Sequence, residues 1–245
     1  MKQYSRKYGQ VFLVNNEVAK FEVSLLDEGQ RVLEIGPGTG ILTELLLEKF
    51  PKVTVIESDH RFIDILKAKF FDMVSSGRLS IIHGNFLEYN TLDYEQIIGN
   101  IPYHISSQIV QKLTSMNFKK AVIMVQKEFA QTIMARASTS FYTKLSVFAQ
   151  TRFNLSLERT ISASNFNPQP SVDSAIISLY PKNYSYSHME DYGEVMLGKL
   201  FSQKRKKIKN VMPNAPLDKM ELRIDQLSPE EIMEMLDQSY KKSKN

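Results

Sequence analysis

Val32-Leu33-Glu34-Ile35-Gly36-Pro37-Gly38-Thr39-Gly40 is the stretch that decides the fold of this chain. A short apolar, β-branched run that stops at a glycine cluster reads as a buried strand entering a tight turn. Glycines in such a turn take up positive φ and let the backbone approach a ligand closely. On its C-terminal side, Ile41 to Leu47 has the composition and length of a helix, and Val53 to Ile56 is again a strand. Strand, glycine turn, helix and strand form the opening of an α/β domain.

The same alternation continues outward. Arg61 to Phe70 carries Phe62, Ile65 and Leu66 at helical spacing, and Leu79 to Ile82 is a third strand. Gln96 to Gly99 is a fourth strand, Ser106 to Leu113 a helix, Ala121 to Val125 a fifth strand and Lys127 to Ala135 a helix. Strands alternating with helices imply right-handed crossovers and a mostly parallel sheet. The pattern then changes. Phe153, Leu155 and Leu157 alternate with polar residues, Ala175 to Tyr180 is another strand, and the loop Phe166-Asn167-Pro168-Gln169-Pro170 lies between them. Two strands without an intervening helix predict an antiparallel hairpin at the sheet edge.

From about Lys182 the chain turns polar and then helical, through Met189 to Phe201, the basic stretch after it, and Ser228 to Leu236. Ser228-Pro229-Glu230-Glu231 is a helix start, with Ser as N-cap, Pro at the first position and Glu at the third. A boundary near Asn183 therefore divides a domain over 1–183 from a small helical domain over 184–245.

Bulk properties narrow the class. The 245 residues are 42% apolar and 24% charged, ordinary for a folded chain rather than a disordered one. No apolar run approaches the roughly 20 residues that span a bilayer. The start, Met1 to Lys7, leads into no apolar signal segment, so a cytoplasmic protein without a membrane partner is expected. Cysteine is absent and the four histidines are scattered, which predicts neither disulfides nor a metal site. Net charge is only +4, but Lys199 to Asn210 holds six cations and no acid. That stretch reads either as a solvated face or as a contact for a polyanion.

The glycine turn fails the dinucleotide pattern, because the sixth position counted from Gly36 is Ile41. Gly36, Gly38 and Gly40 with Glu34 two residues before them instead resemble the nucleoside-methionine loop of class I methyltransferases. Glu57 ends the second strand, 21 residues beyond Gly36, where a carboxylate can accept both hydroxyls of an adenosine ribose. Asp59 could share that role, and another adenosine cofactor would suit the same three features. The third strand ends at Gly84-Asn85-Phe86, which in the methyltransferase scheme reads the adenine amine with Asn85 and packs the ring on Phe86.

Asn100-Ile101-Pro102-Tyr103 follows the fourth strand, and His104-Ile105-Ser106-Ser107 follows it in turn. This element resembles that of the KsgA/Erm family of rRNA adenine N6-dimethyltransferases. Gly9-Gln10-Val11-Phe12-Leu13 resembles the family's N-terminal segment that closes over the cofactor, and Val125-Gln126-Lys127-Glu128 and Lys144-Leu145-Ser146-Val147 resemble two middle motifs. Phe166 to Ser174 fits Phe-x-Pro-x-Pro-x-Val-x-Ser, and Phe201 to Lys206 resembles the basic start of the C-terminal domain. The resemblance spans nearly the whole chain. Val11 departs from the usual Asn, Asn85 from the usual Asp, and Thr132 from a common Arg.

The resemblance implies a class I, Rossmann-like fold and S-adenosylmethionine as donor. Gln10, Val11, Leu13, Gly36, Gly38, Glu57, Asn85, Phe86 and Asn100 would hold it. The exocyclic amine of adenosine delocalises its lone pair and is a poor nucleophile. The Asn100 side-chain oxygen and the Ile101 carbonyl would grip its two hydrogens, and Pro102 would stiffen the turn. Tyr103 would stack on the swung-out base with Phe166 opposite, although Phe166 could equally plug the core. Lys204, Arg205, Lys206 and Lys207 would contact RNA. The Gln-Lys-Arg-Lys stretch, Asp173-Ser174 and Leu227 to Glu230 favour the branch that dimethylates two adjacent adenosines in the 3′-terminal hairpin loop of small-subunit rRNA. That implies a monomer acting on a pre-ribosomal 30S-type particle. The alternatives are a large-subunit enzyme methylating one adenosine and a non-catalytic ribosome assembly factor.

Overall fold

The computed structural model describes residues 11–90 and 93–244, so Gln10 lies outside the described residues. The chain runs through β1 (Phe12–Leu13), α1 (Asn16–Ser24), β2 (Arg31–Ile35), α2 (Ile41–Lys49), β3 (Lys52–Glu57) and α3 (His60–Lys69). It continues with α4 (Phe71–Ser75), β4 (Leu79–His83), β5 (Gln96–Asn100), α5 (Ser106–Leu113), β6 (Lys120–Gln126) and α6 (Lys127–Ile133). Last come α7 (Lys144–Arg152), β7 (Phe153–Ile161), β8 (Phe166–Asn167), β9 (Ser174–Pro181), α8 (Glu190–Ser202) and α9 (Pro229–Lys244).

Seven of the described strands form one sheet in the order β4-β3-β2-β5-β6-β9-β7. β4, β3, β2, β5 and β6 are parallel, and β9 runs antiparallel to β6 with Val122 opposite Ser178. The expected mixed sheet is present, with β7 and β9 at one edge. Chain order steps outward from β2 to β3 and β4, then returns to β5 on the other side of β2. That reversal opens a crevice beyond the C-terminal ends of β2 and β5, where α/β sheets place their ligands. A second, two-stranded sheet pairs β1 with β8, setting Leu13 opposite Phe166.

The chain divides into two compact units. The first runs to Ala130 and resumes over Leu155–Pro181; the second comprises Gln131–Asn154 and Lys182–Asn245. The first is built around β-branched residues such as Val32, Val53, Val55, Ile98 and Ile176, with Leu42 and Leu46 of α2 packed on them. The second buries Tyr142, Val147, Leu197, Leu200, Ile232 and Leu236 together.

Two sequence expectations need adjustment. The boundary near Asn183 matches only the last crossing between units, because 131–154 belongs with the C-terminal residues. Tyr142 explains why: its ring is buried in that second core and its hydroxyl donates to the Leu227 carbonyl at 3.0 Å. The basic stretch is also helical only in part, with a single 3-10 turn at Ile208–Asn210. α8 ends at Ser202, a turn follows, and Lys207 forms an isolated bridge with Arg223. Ser228 does cap α9, accepting from the Glu231 N–H at 3.2 Å while Glu231 accepts from the Ser228 N–H at 2.9 Å.

Candidate active site

A cleft of about 200 Å³ opens at the crevice between β2 and β5. The glycine turn forms its floor. Gly38 has φ +55°, a left-handed conformation that a side chain would strain, and an added Cβ would lie 3.0 Å from the Phe12 ring. Its N–H donates to Glu57 Oε2 at 3.1 Å, and the Asp59 N–H donates to Oε1 at 2.9 Å. Glu57 is only 5% exposed and lines the cleft. Burial raises its carboxyl above the usual range, while those backbone N–H groups oppose the shift. Asp59 is otherwise engaged, as the N-cap of α3 and the partner of Arg61. Behind the turn, Glu34 is buried and accepts from the Thr43 hydroxyl at 2.6 Å. Burial pushes the Glu34 carboxyl up to about 8.

The opposite wall is the end of β5. Gly99 precedes the tetrapeptide, and a Cβ there would lie 2.6 Å from the Ile35 carbonyl oxygen. Only glycine lets the β5 backbone approach β2 this closely, and the sequence reading gave it no role. The Ile101 N–H donates to the Met124 carbonyl at 2.9 Å, and the Pro102 carbonyl accepts from Ile105 at 3.1 Å. Both bonds fix the peptide planes around the turn. The Tyr103 hydroxyl lies 2.8 Å from Ser174 Oγ, which anchors the ring to the start of β9. Asn100 meets Glu22 of α1: with its nitrogen toward the carboxylate, Nδ2 donates to Oε1 at 3.0 Å and to Oε2 at 3.1 Å.

The remaining wall comes from β1, β8 and the turn after β4. Val11 and Leu13 line the cleft with Phe12, whose ring lies 5.3 Å from that of Phe62. Asn85 and Phe86 also face it. The Asn85 side-chain oxygen accepts the Leu87 N–H at 3.1 Å, and its nitrogen donates to Glu88 at 3.0 Å, so its orientation is set locally. Phe166 belongs to both alternatives of the sequence reading, being buried in the core cluster and lining the cleft. The structure thus brings Val11, Leu13, Gly36, Gly38, Glu57, Asn85, Phe86, Asn100, Ile101, Pro102, Tyr103 and Phe166 to one cleft. Lys204, Arg205, Lys206 and Lys207 belong to the second unit. There Lys207 pairs with Glu221 at 2.7 Å, and Arg205 and Lys206 are exposed.

A glycine turn, a buried acid at the end of the next strand and a cleft at the switch point define a Rossmann-like domain for an adenosine-containing cofactor, and comparison with known proteins makes it a methyltransferase. The chain is 36% identical over 214 residues to the ribosomal RNA small subunit methyltransferase A of Malacoplasma penetrans, covering 86% of this chain and 78% of that protein. The crystal structure of a dimethyladenosine transferase from Plasmodium falciparum superposes with a TM-score of 0.84 at 29% identity, covering 94% of this chain and 98% of that one. That of the 23S rRNA methyltransferase ErmE gives 0.69 at 25% identity, covering 92% and 99%. The sequence pattern of the ribosomal RNA adenine dimethylase family matches residues 1–240, and the chain belongs to that family. It is an rRNA adenine methyltransferase that uses S-adenosylmethionine. The cleft fits this donor, offering the Glu57 carboxylate at the end of β3 and an apolar wall of Ile35, Ile56 and Phe86.

Proposed function

We propose that this chain dimethylates the N6 amines of two adjacent adenosines in the 3′-terminal hairpin loop of small-subunit rRNA. It would act as a cytoplasmic monomer on a pre-ribosomal 30S-type particle. The observation that carries the reading is the opening of Asn100-Ile101-Pro102-Tyr103 onto the same cleft as Gly38 and Glu57. The small-subunit assignment is supported by the relative from Malacoplasma penetrans, which is more similar in sequence than the large-subunit enzyme.

When bound, the donor supplies an electrophilic methyl group on a sulfonium. Gly36, Gly38 and Glu57 hold its nucleoside, with Val11, Leu13, Asn85 and Phe86 around it. Tyr103 and Phe166 take the flipped adenine between them, as enzymes acting on a base inside a folded nucleic acid require. Asn100 Oδ1 and the Ile101 carbonyl accept the two amine hydrogens, which favours a pyramidal nitrogen with an available lone pair. The Met124 and Ser174 bonds hold this constellation in advance, so the rate gain comes from alignment and preorganised acceptors. The N–C bond would form as the sulfonium S–CH3 bond breaks to leave a neutral thioether, and the methylated nitrogen, now acidic, gives up one proton to water without a strong base. Arg205 and Lys206 supply phosphate contacts from the second unit.

Mass spectrometry of digested rRNA after reaction with labelled donor, with primer extension across both rRNAs, tests the reading. Two adjacent dimethyladenosines in the small-subunit rRNA support it. A single modified adenosine in the large-subunit rRNA transfers the chain to the other branch, and particle binding without label leaves an assembly factor.

A further inference from the structure

Glu22 lies near the C-terminal end of α1, fully buried beside the reacting end of β5. Nothing in the helix itself calls for a carboxylate there, because its neighbours on the buried face are Val18, Ala19 and Val23. Burial, with the charge of Glu34 added, raises its carboxyl well above the ordinary value. Its polar contact is the Asn100 amide, with Nδ2 at 3.0 and 3.1 Å from the two carboxylate oxygens.

The oxygen and nitrogen of a carboxamide are told apart by their partners. When ionised, the carboxylate only accepts and so holds the NH2 end of Asn100. The reverse setting would then place three oxygens against one another in a buried site, and with the acid protonated only one of the two short contacts to Oδ1 could be a hydrogen bond. Once the nitrogen is held from behind by Glu22, Oδ1 is the atom left for the cleft. Methylation of an amine needs an acceptor there, since an NH2 group would meet the substrate's own hydrogens.

We infer that Glu22 is a positioning residue, whose carboxylate orients the Asn100 carboxamide so that its oxygen faces the incoming amine. The inference rests on the amine-methylating function proposed above. Glu22 touches neither substrate nor donor in this scheme and acts only through Asn100.

The test combines methyl transfer to unmethylated small ribosomal subunits with NMR of the Asn100 side-chain amide, both followed from neutral to alkaline pH. The amide signals are identified by their loss in Asn100→Asp. In Glu22→Leu, the Asn100 amide protons should lose a downfield shift and slow exchange seen in the wild type. Its kcat should fall about tenfold or more, as expected for losing one charge-assisted hydrogen bond, with KM for the subunit unchanged. Asn100→Asp alone sets two carboxyl groups together and should be nearly inactive. Adding Glu22→Gln supplies an NH2 group to Asp at 100 and should restore activity at least several-fold, a rescue that a packing role cannot produce. Amide signals unmoved by Glu22→Leu, or a double variant no better than Asn100→Asp, overturn the inference. A wild type that places no methyl on small subunits instead sinks the functional reading, while the NMR comparison still decides the Glu22 contact.

Discussion

The Tyr103 hydroxyl and Ser174 Oγ lie 2.8 Å apart across 71 residues of sequence, joining the turn after β5 to the first residue of β9. Ser174 is fully buried, so the bond is shielded from water and fixes where the Tyr103 ring stands. Removing the serine hydroxyl leaves the phenol without this anchor. We expect Ser174→Ala to lower kcat about three- to tenfold and stability by about 1 kcal/mol, the usual net worth of one hydrogen bond. Donor titration should give an unchanged Kd. An unchanged kcat would show that the ring is positioned by packing alone.

In the proposed mechanism, Asn100 supplies an acceptor that matters most as charge develops on the nitrogen. Asn100→Ala should retain binding to small subunits and lose roughly 10²- to 10³-fold in kcat, the scale seen when one preorganised polar partner of a transition state is removed. Single-turnover methyl transfer with a parallel particle-binding assay measures both quantities. Loss of binding and rate together would assign Asn100 to recognition instead.

Glu34 gives the fold a pH signature. Its carboxyl rises from an ordinary 4.5 to about 8 in the folded chain, chiefly through burial. Between those values the folded state keeps a proton that the unfolded state has released, so stability declines as pH increases and levels off above about 8. In Glu34→Gln the amide oxygen can still accept from Thr43 while carrying no charge. The variant should match the wild type near pH 4.5 and have the higher Tm at pH 9. A Tm difference that stays constant across that range would refute the assignment. Glu22 is raised partly by the charge of Glu34, so Glu34→Gln also eases its ionisation, and the same comparison in a Glu22→Gln background isolates the Glu34 contribution.

Arg205 and Lys206 are exposed on the turn after α8, whereas Lys207 already pairs with Glu221. Removing one cation that neutralises a phosphate reduces the salt slope of binding by about one. Arg205→Ala combined with Lys206→Ala should therefore weaken subunit binding at moderate salt and lower the slope by about two, with kcat at saturation preserved. Lys207→Ala should have a smaller effect on the slope, because that lysine must first give up its acid. Equal slopes for all variants would place the RNA path elsewhere.

Much of this molecule was legible one residue after another. The strand and helix order of the first unit follows from period and composition, since burial on a sheet demands apolar β-branched runs and tight turns demand glycine. The glycine turn, Glu57 and Asn100 to Tyr103 are equally local, because each needs a particular residue type at a strand end. What local patterns do not carry is the identity of partners. α1 went unread because Glu22 interrupts the apolar face that would have marked it, and the meaning of that acid appears only beside Asn100, 78 residues on. Lys144 to Arg152 sits between elements of the sheet in sequence but packs with the C-terminal unit, because Tyr142 and Val147 complete a core assembled from distant residues. The cation run after α8 has helical composition, yet a turn and a bridge to Arg223 interrupt it before the short 3-10 turn at Ile208–Asn210, and Lys207 pairs with Glu221. Short-range sterics and solvation act between neighbours and are written along the chain; pairing across a sheet depends on strand order, and only the assembled fold sets that.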